Sequence, residues 1–397
     1  MEHIYFDHAA TTPVDGRVLE KMLPYFTEKF GNPNSQHWFG RETVAAVDEA
    51  RDTIAKVIGA KPAEIYFTSG GTEADNWALR GAAHAYKDRG RHLIVSAVEH
   101  PAMIATAKEL IKEGFDVTFA EVDEYGKVDL EKLKKAVRSD TVFIGVMTAN
   151  NEVGTIQPIA EISEFAKERG IVFFTDAVQA AGALPINVKS PAVDMLSFSS
   201  HKFYGPKGIG VLYVRSGLKI GKIITGGHQE RGMRGGTTNV PAIVGMAEAL
   251  RLSQEKLVEN AAYVTSLRDR FISRVIKEIP YVKLNGHPTD RLPANANFSF
   301  RYIEGESLLF SLDLAGIAVS SGSACSSGSL EPSHVLLAMG VPEGLAHGSI
   351  RFSFGSRNTP EQVDYAVDKL KEIVVKLRAL SPLFPKDLKN EVFEKEI

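Results

Sequence analysis

Residues 141–176 read TVFIGVMTANNEVGTIQPIAEISEFAKERGIVFFTD, and their order sets the architecture. An apolar, β-branched run, Thr141–Met147, gives way to polar punctuation. Ile159–Arg169 (IAEISEFAKER) follows with apolar residues at helical spacing, and then a second apolar run, Ile171–Thr175. Strand, amphipathic helix, strand is a βαβ crossover, which lays two parallel strands side by side with a helix across one face. The same texture extends in both directions. Glu64–Thr68, His92–Ala97 and Asp116–Val122 precede this stretch as candidate strands, and Met195–Ser199 and Gly208–Val214 follow it. Amphipathic segments such as Leu130–Val137 (LEKLKKAV) lie between most of them. The pattern predicts an α/β chain with a mostly parallel, seven-stranded sheet covered on both faces. Ligands of such sheets bind beyond the carboxyl ends of the strands, so the residues just after each strand are where chemistry is expected.

Near Leu250 the texture changes. A charged helical stretch, Glu255–Lys277, leads into Tyr281–Asn285 and Asn295–Phe300, which read as strands, and Glu361–Leu380 is a strongly amphipathic helix. This predicts a large domain over residues 15–255 and a smaller α+β C-terminal domain over 256–397. Residues 1–14 are assigned as an N-terminal segment packing with the small domain. The 397 residues are 44% hydrophobic and 24% charged with a net charge of −3, an ordinary globular balance that argues against a surface built for nucleic acid. One cysteine, Cys325, allows no internal disulfide, zinc knuckle or CxxC pair. No apolar run approaches about 18 residues, which argues against a membrane helix. The opening Met1–Asp7 lacks the basic and apolar regions of a signal peptide, so a cytoplasmic location is expected.

The strand ends hold the informative residues. Thr68-Ser69-Gly70-Gly71-Thr72-Glu73 opens a helix with backbone N–H groups and a hydroxyl suited to an anion; a plain N-cap by Ser69 or Thr72 is the simpler alternative. Asp176 closes the run Ile171–Thr175, and Lys202, 26 residues later, ends the stretch Ser199-Ser200-His201-Lys202. Lys202 stands among small, hydroxyl and aromatic residues, where burial would lower its pKa and expose a usable amine. A lysine and an aspartate at successive strand ends, with a Gly-Gly-Thr anion site, form a constellation for pyridoxal 5′-phosphate. The lysine forms the Schiff base, the aspartate keeps the pyridine nitrogen protonated, and hydroxyls and amides hold the phosphate. His100 follows the His92–Ala97 run and can stack on a flat cofactor and move protons. Asn150 and Asn151 offer amides after the Thr141–Met147 run. The 11 histidines include no pair within four positions, which argues against a histidine-built metal site. In the C-terminal part, Ser320–Gly328 (SSGSACSSG) surrounds Cys325 with small polar residues rather than apolar packing, which suits an exposed, reactive thiol. Arg351, in Gly348–Ser353 (GSIRFS), can grip a carboxylate through two parallel bonds or form a surface ion pair.

These residues resemble the class V, fold-type I pyridoxal-phosphate enzymes, specifically the NifS/IscS group of cysteine desulfurases. The resemblance runs from Asp7–Pro13 (DHAATTP) to Ile350–Ser353 (IRFS). It is carried most specifically by Thr68–Asn76 (TSGGTEADN), Asn150–Gly154 (NNEVG), Ser199–Gly208 (SSHKFYGPKG), Glu230–Thr237 (ERGMRGGT) and Ser321–Ser327 (SGSACSS). It implies a Schiff base on Lys202, Asp176 at the pyridine nitrogen, Gln179 at the ring hydroxyl and His100 stacked on the ring. It further implies a phosphate cradle of Gly71, Thr72, Ser199 and His201, with Thr237 donated across a homodimer interface. Asn151 and Arg351 are implied as substrate contacts and Cys325 as the nucleophile. The implied reaction converts L-cysteine to L-alanine, with Lys202 taking the α-proton, His100 accepting the thiol proton and Cys325 ending as a persulfide. Implied partners are L-cysteine, a second copy of the chain, and an iron–sulfur scaffold or another sulfur acceptor, with neither membrane nor direct nucleic-acid binding. Cys325 could also serve as a transient ligand of a nascent iron–sulfur cluster, which one cysteine cannot hold alone. Selenocysteine lyase and aminotransferase activity are the alternatives within class V; an aminotransferase has no need of the thiol, and the selenocysteine-lyase branch carries a shorter cysteine loop.

Overall fold

The computed structural model describes residues 3–321 and 331–385. After a two-residue strand β1 (Ile4–Tyr5), seven strands form one sheet: β2 (Ile65–Thr68), β3 (His92–Ser96), β4 (Asp116–Ala120), β5 (Thr141–Gly145), β6 (Val172–Asp176), β7 (Met195–Ser199) and β8 (Gly210–Val214). Their order is β2-β8-β7-β6-β5-β3-β4. The strands from β7 through β4 run parallel, while β8 is antiparallel to both of its neighbours. Every residue of β3, β5, β6, β7 and β8 is buried. Helices cover both faces, which is why these strands read as continuous apolar runs rather than alternating ones. On one face Ile54, Phe173, Phe198 and Met246 share a core. On the other, Trp77, Leu79, Met103 and Leu110 do the same.

Several apolar runs outlast the strands they predict. Val146 and Met147 lie past the end of β5 yet stay buried, and backbone bonds to β6 run on beside them: the Val146 amide donates to the Phe174 carbonyl at 3.1 Å and the Thr148 amide to that of Asp176 at 2.8 Å. The apolar pattern reports burial, and here both burial and backbone pairing continue past the regular strand.

The helix Val240–Glu255 breaks at Lys256, and Leu257–Glu278 begins a second unit. There β9 (Val282–Asn285), β10 (Asn295–Phe300) and β12 (Ser349–Ser353) form an antiparallel sheet with β10 central. Phe271, Phe298, Phe352, Leu308 and Val363 pack its core against the helices Gly305–Leu314 and Pro360–Leu380. The last helix starts with a reciprocal capping box between Thr359 and Gln362. Strand β1 pairs in parallel with β11 (Ile317–Ala318), and Ile4 and Phe6 belong to this same core.

The two units are joined through the loop after β5. The carbonyl of Asn151 accepts from Arg351 Nη1 at 3.0 Å, and that of Glu152 from Asn295 and Asn297 amides at 3.1 Å each. The Val153 carbonyl accepts from Arg291 Nη2 at 2.9 Å, and the Gly154 carbonyl from the Leu292 amide at 2.8 Å. Gly154 itself has φ +81°, and an added Cβ would meet Asn295 at 2.9 Å, so only glycine fits this close approach. Among the described residues no helix is long and apolar enough to cross a membrane.

A second tie holds the segment before Val240. Arg51 donates to Glu230 at 2.8 and 2.9 Å, and the Phe67 amide also donates to Glu230 at 2.9 Å. Glu230 and Arg231 sit at φ +46° and +57°, a left-handed turn that these bonds hold in place. Glu230→Ala leaves the Arg51 charge and the Phe67 amide without their partner. It should cost about 3–5 kcal/mol of unfolding free energy in urea titration; a loss under about 1 kcal/mol would contradict this account.

Candidate active site

The carboxyl ends of β2, β3, β5, β6 and β7 converge on a cleft of about 490 Å³. Gly71 and Thr72 enter it from the helix after β2, His100 from the turn after β3, and Asn151 from the loop after β5. Asp176 and Gln179 follow from β6, then Ser199, His201 and Lys202 from β7, and Arg351 reaches in from β12 of the second unit. Ten residues singled out in the sequence thus line one cavity. Thr237 does not; it is exposed, on the segment before helix Val240–Glu255. Cys325 lies outside the described residues.

The helix Gly71–Tyr86 has Gly70 as its N-cap and no side-chain capping bond. Neither Ser69 nor Thr72 caps it; Glu73 instead binds the Ser69 amide at 2.8 Å and a two-pronged Arg234 at 2.8 and 2.9 Å. A Cβ on Gly71 would come within 2.8 Å of Val178, so the backbone approaches the cleft wall closely. Uncapped first-turn amides on a 16-residue helix make an anion seat.

Buried acid dominates the floor. Asp176, the last residue of β6, accepts from the Val178 amide at 2.7 Å. Burial pushes its pKa up to about 6, against the pull of that amide and of Lys202. Across the ladder from it, Ser197 donates to Asp75 at 2.6 Å. Asp75 is raised well above the usual carboxylate range by burial, and then by the charges of Asp176 and Glu99. Glu99 accepts from Ser96 at 2.7 Å and from the Met147 amide at 2.5 Å, with Oε2 buried and unpartnered. Burial pushes it up to about 8. Asp75 and Glu99 escaped the sequence reading, although Asp75 lay inside a quoted motif and Glu99 stands next to His100. An acid flanked by polar residues carries no local sign that the fold will bury it.

Lys202 Nζ donates to the Ala9 carbonyl at 2.5 Å and the Ala10 carbonyl at 2.8 Å, which ties the N-terminal segment to the end of β7. Gln179 donates to the same Ala9 carbonyl at 3.0 Å. His100 is lowered to about 4, first by burial and then by the charges of Lys202 and His334. Its Nδ1 accepts the Ala102 amide at 3.1 Å and so caps helix Pro101–Lys112; the proton of the neutral ring therefore sits on Nε2. His201 is likewise lowered to about 4 by burial and by Lys202 and Lys207.

Arg351 Nη2 donates to Asp7 at 2.9 Å. Beside it Glu152, which the Ser333 hydroxyl binds, is buried and pushed up to about 7 despite the nearby Arg351 charge. His334 Nε2 lies 3.0 Å from the Glu99 carbonyl, on the opposite wall. Among the described residues no group of acids, histidines or cysteines could hold a metal ion.

Known proteins resemble this one along nearly the whole chain. Residues 4–366 match the family described as aminotransferase class-V. A protein named cysteine desulfurase IscS from Dictyoglomus turgidum is 54% identical over 379 residues, 96% of each chain. Its namesake from Methanosarcina thermophila is 53% identical over 387 residues, 98% of this chain and 96% of that one. A solved NifS-like protein superposes with a TM-score of 0.89 at 42% identity, covering 94% of this chain and all of its own. The apo cysteine desulfurase of Thermococcus onnurineus NA1 gives 0.85 at 27% identity, covering 94% and 95%. The chain belongs to the aminotransferase class-V family, in its NifS/IscS branch.

Proposed function

We infer that the protein is a pyridoxal-phosphate-dependent cysteine desulfurase: L-cysteine becomes L-alanine, and the sulfur passes to Cys325 as a persulfide. The observation that carries this reading is the convergence of Lys202, Asp176, His100 and Arg351 on one cleft, in a chain half identical to IscS desulfurases. The cleft suits the cofactor in three respects. The uncapped helix at Gly71 suits a phosphate, the buried Asp176 carboxyl suits a protonated ring nitrogen, and a lysine amine lines the same cleft.

Gly71, Thr72, Ser199 and His201 would hold the phosphate, Asp176 the ring nitrogen, Gln179 the ring hydroxyl, His100 a ring face and Lys202 the reactive carbon. When bound, the cofactor supplies an electron sink for charge released at the substrate's α-carbon. Arg351 grips the substrate carboxylate and orients the Cα–H bond, with Asn151 beside it. Lys202 Nζ takes the α-proton, and the Ala9 and Ala10 carbonyls seat the resulting ammonium. Cys325 Sγ, as thiolate, attacks the substrate sulfur; an S–S bond forms, C–S breaks, and its electron pair stays with the carbon that becomes alanine's methyl group. Atoms balance as L-cysteine plus enzyme thiol giving L-alanine plus enzyme persulfide. His100 enters as a donor through Nε2, and accepting the thiol proton, the role implied above, first requires release of the Ala102 amide.

The protein works in the cytoplasm as a homodimer and delivers the persulfide to an iron–sulfur scaffold or another acceptor thiol. Support for a dimer comes from one face of the large unit. Phe26, Phe30 and Trp38 are exposed there. A shallow pocket joins Pro33, Asn34 and Val44 to His228 and Thr238, next to Thr237. The double substitution Phe30→Glu, Trp38→Glu should shift the protein to monomer in sedimentation analysis; an unchanged mass would place any dimer contact elsewhere.

Cofactor-loaded protein given L-cysteine and a reductant should release alanine and sulfide in equal amounts. Cys325→Ala should keep the cofactor's absorbance and lose both products. Multiple-turnover sulfide from Cys325→Ala would overturn the persulfide route.

Glu99 gives a pH prediction. Unfolded, it ionises near 4.5; folded, near 8, so between these values only the folded chain keeps the proton. Its contribution to stability is complete below 4.5 and lost as pH rises through 8. Glu99→Gln should therefore lose less stability between pH 5 and pH 8 than the parent protein in urea titrations. Equal losses in both would refute the buried neutral carboxyl.

A further inference from the structure

The side chain of Arg351 is 4% exposed, and a guanidinium buried so deeply needs an anion whenever no substrate is present. Asp7 supplies it, 2.9 Å from Nη2. The arginine's other contacts are fixed as well. Nη1 is engaged by the Asn151 carbonyl at 3.0 Å, and the backbone of Arg351 exchanges hydrogen bonds with Ser320 at 2.7 and 3.2 Å. Nε is buried with no partner. The fold delivers Asp7 to this spot: β1 lies along β11, and Asp7 bridges to Ser353, two residues beyond Arg351 on β12. The ion pair is neutral as a unit, and an incoming carboxylate adds a negative charge to a site already balanced.

We propose that Asp7 is the resting counter-ion of Arg351 and a specificity-determining residue, which holds the guanidinium for the substrate carboxylate while weakening its grip on substrate and product alike. The proposal rests on the desulfurase reading, in which Arg351 receives that carboxylate. Two carboxylates facing one buried guanidinium repel each other, so Asp7 keeps α-amino acids loosely bound and lets alanine leave. The amine end of the ligand lies outside this balance.

The test is Asp7→Asn, which keeps the shape and an acceptor oxygen but removes the charge. In cofactor-loaded protein, L-alanine binding is followed through the cofactor's absorbance, with ethylamine as the carboxylate-free control. Asp7→Asn should bind L-alanine about tenfold more tightly, lower the KM for L-cysteine by a similar factor and leave ethylamine unchanged. Asp7→Glu should restore the parent values. Weaker or unchanged L-alanine binding, or equal tightening of ethylamine, would overturn the proposal. The parent protein gives a second measure if the variant does not fold. It should prefer L-alanine over L-alaninamide by less than about tenfold, and a preference near a thousandfold would show an arginine without a competing anion. The binding arms need no turnover. A protein that binds L-alanine as described but releases no alanine from L-cysteine refutes the desulfurase reading and leaves the counter-ion assignment intact.

Discussion

Asp176 ends β6 with its carboxyl buried, and an ionised carboxylate there is tolerable only beside positive charge. The neighbourhood is arranged around that demand. Asp75 and Glu99 stand close by but are pushed toward their neutral forms, so the floor does not accumulate three negative charges. Lys202, at the end of the next strand, is the cation that pulls Asp176 toward ionisation. A protonated ring nitrogen would complete the balance, which is why a cleft of small residues and uncapped amides makes chemical sense at this place. Parallel strands bring their carboxyl ends to one rim, and only there can side chains from five strands meet.

The second unit contributes position as much as residues. Arg351 comes from β12, yet it is aligned by the Asn151 carbonyl of the large unit and by Asp7 of the N-terminal segment. The loop Asn151–Gly154 is in turn held by donors from the second unit along its carbonyls. Asn151 and Arg351, on either side of the cleft, therefore brace one another. A change at Asn295, Asn297 or Arg291, none of which lines this cleft, would be felt at Asn151.

Much of this was legible in the chain. All seven candidate strands of the large sheet appear, because strands buried on both faces must be apolar throughout, and that pattern survives in one dimension. Strand ends were less legible, as Val146 and Met147 show, since burial and backbone pairing fade gradually rather than stopping with the regular strand. Of the candidate site, Lys202, Asp176, His100 and Arg351 stood out because each pairs a reactive side chain with a strand end or a small-residue context. Asp7, Asp75, Glu99 and Glu152 did not stand out as functional. Their significance lies in being buried beside one another or beside Arg351, and short-range pattern carries no record of that.

Residue order along the chain was enough to establish the alternating α/β architecture and the strand-end placement of the reactive groups, and its motifs carried the family resemblance. The architecture and placement follow from local periodicity and from the rule that parallel strands present their carboxyl ends together. Charge states and pairings were set by folding. Asp7 meets Arg351 from 344 positions away, and Ser197 meets Asp75 from 122 away. The proton on His100 falls to Nε2 because a helix starts beneath its other nitrogen. Coulomb energy and desolvation depend on distance in space and on exclusion of water, quantities that exist only once the chain is packed.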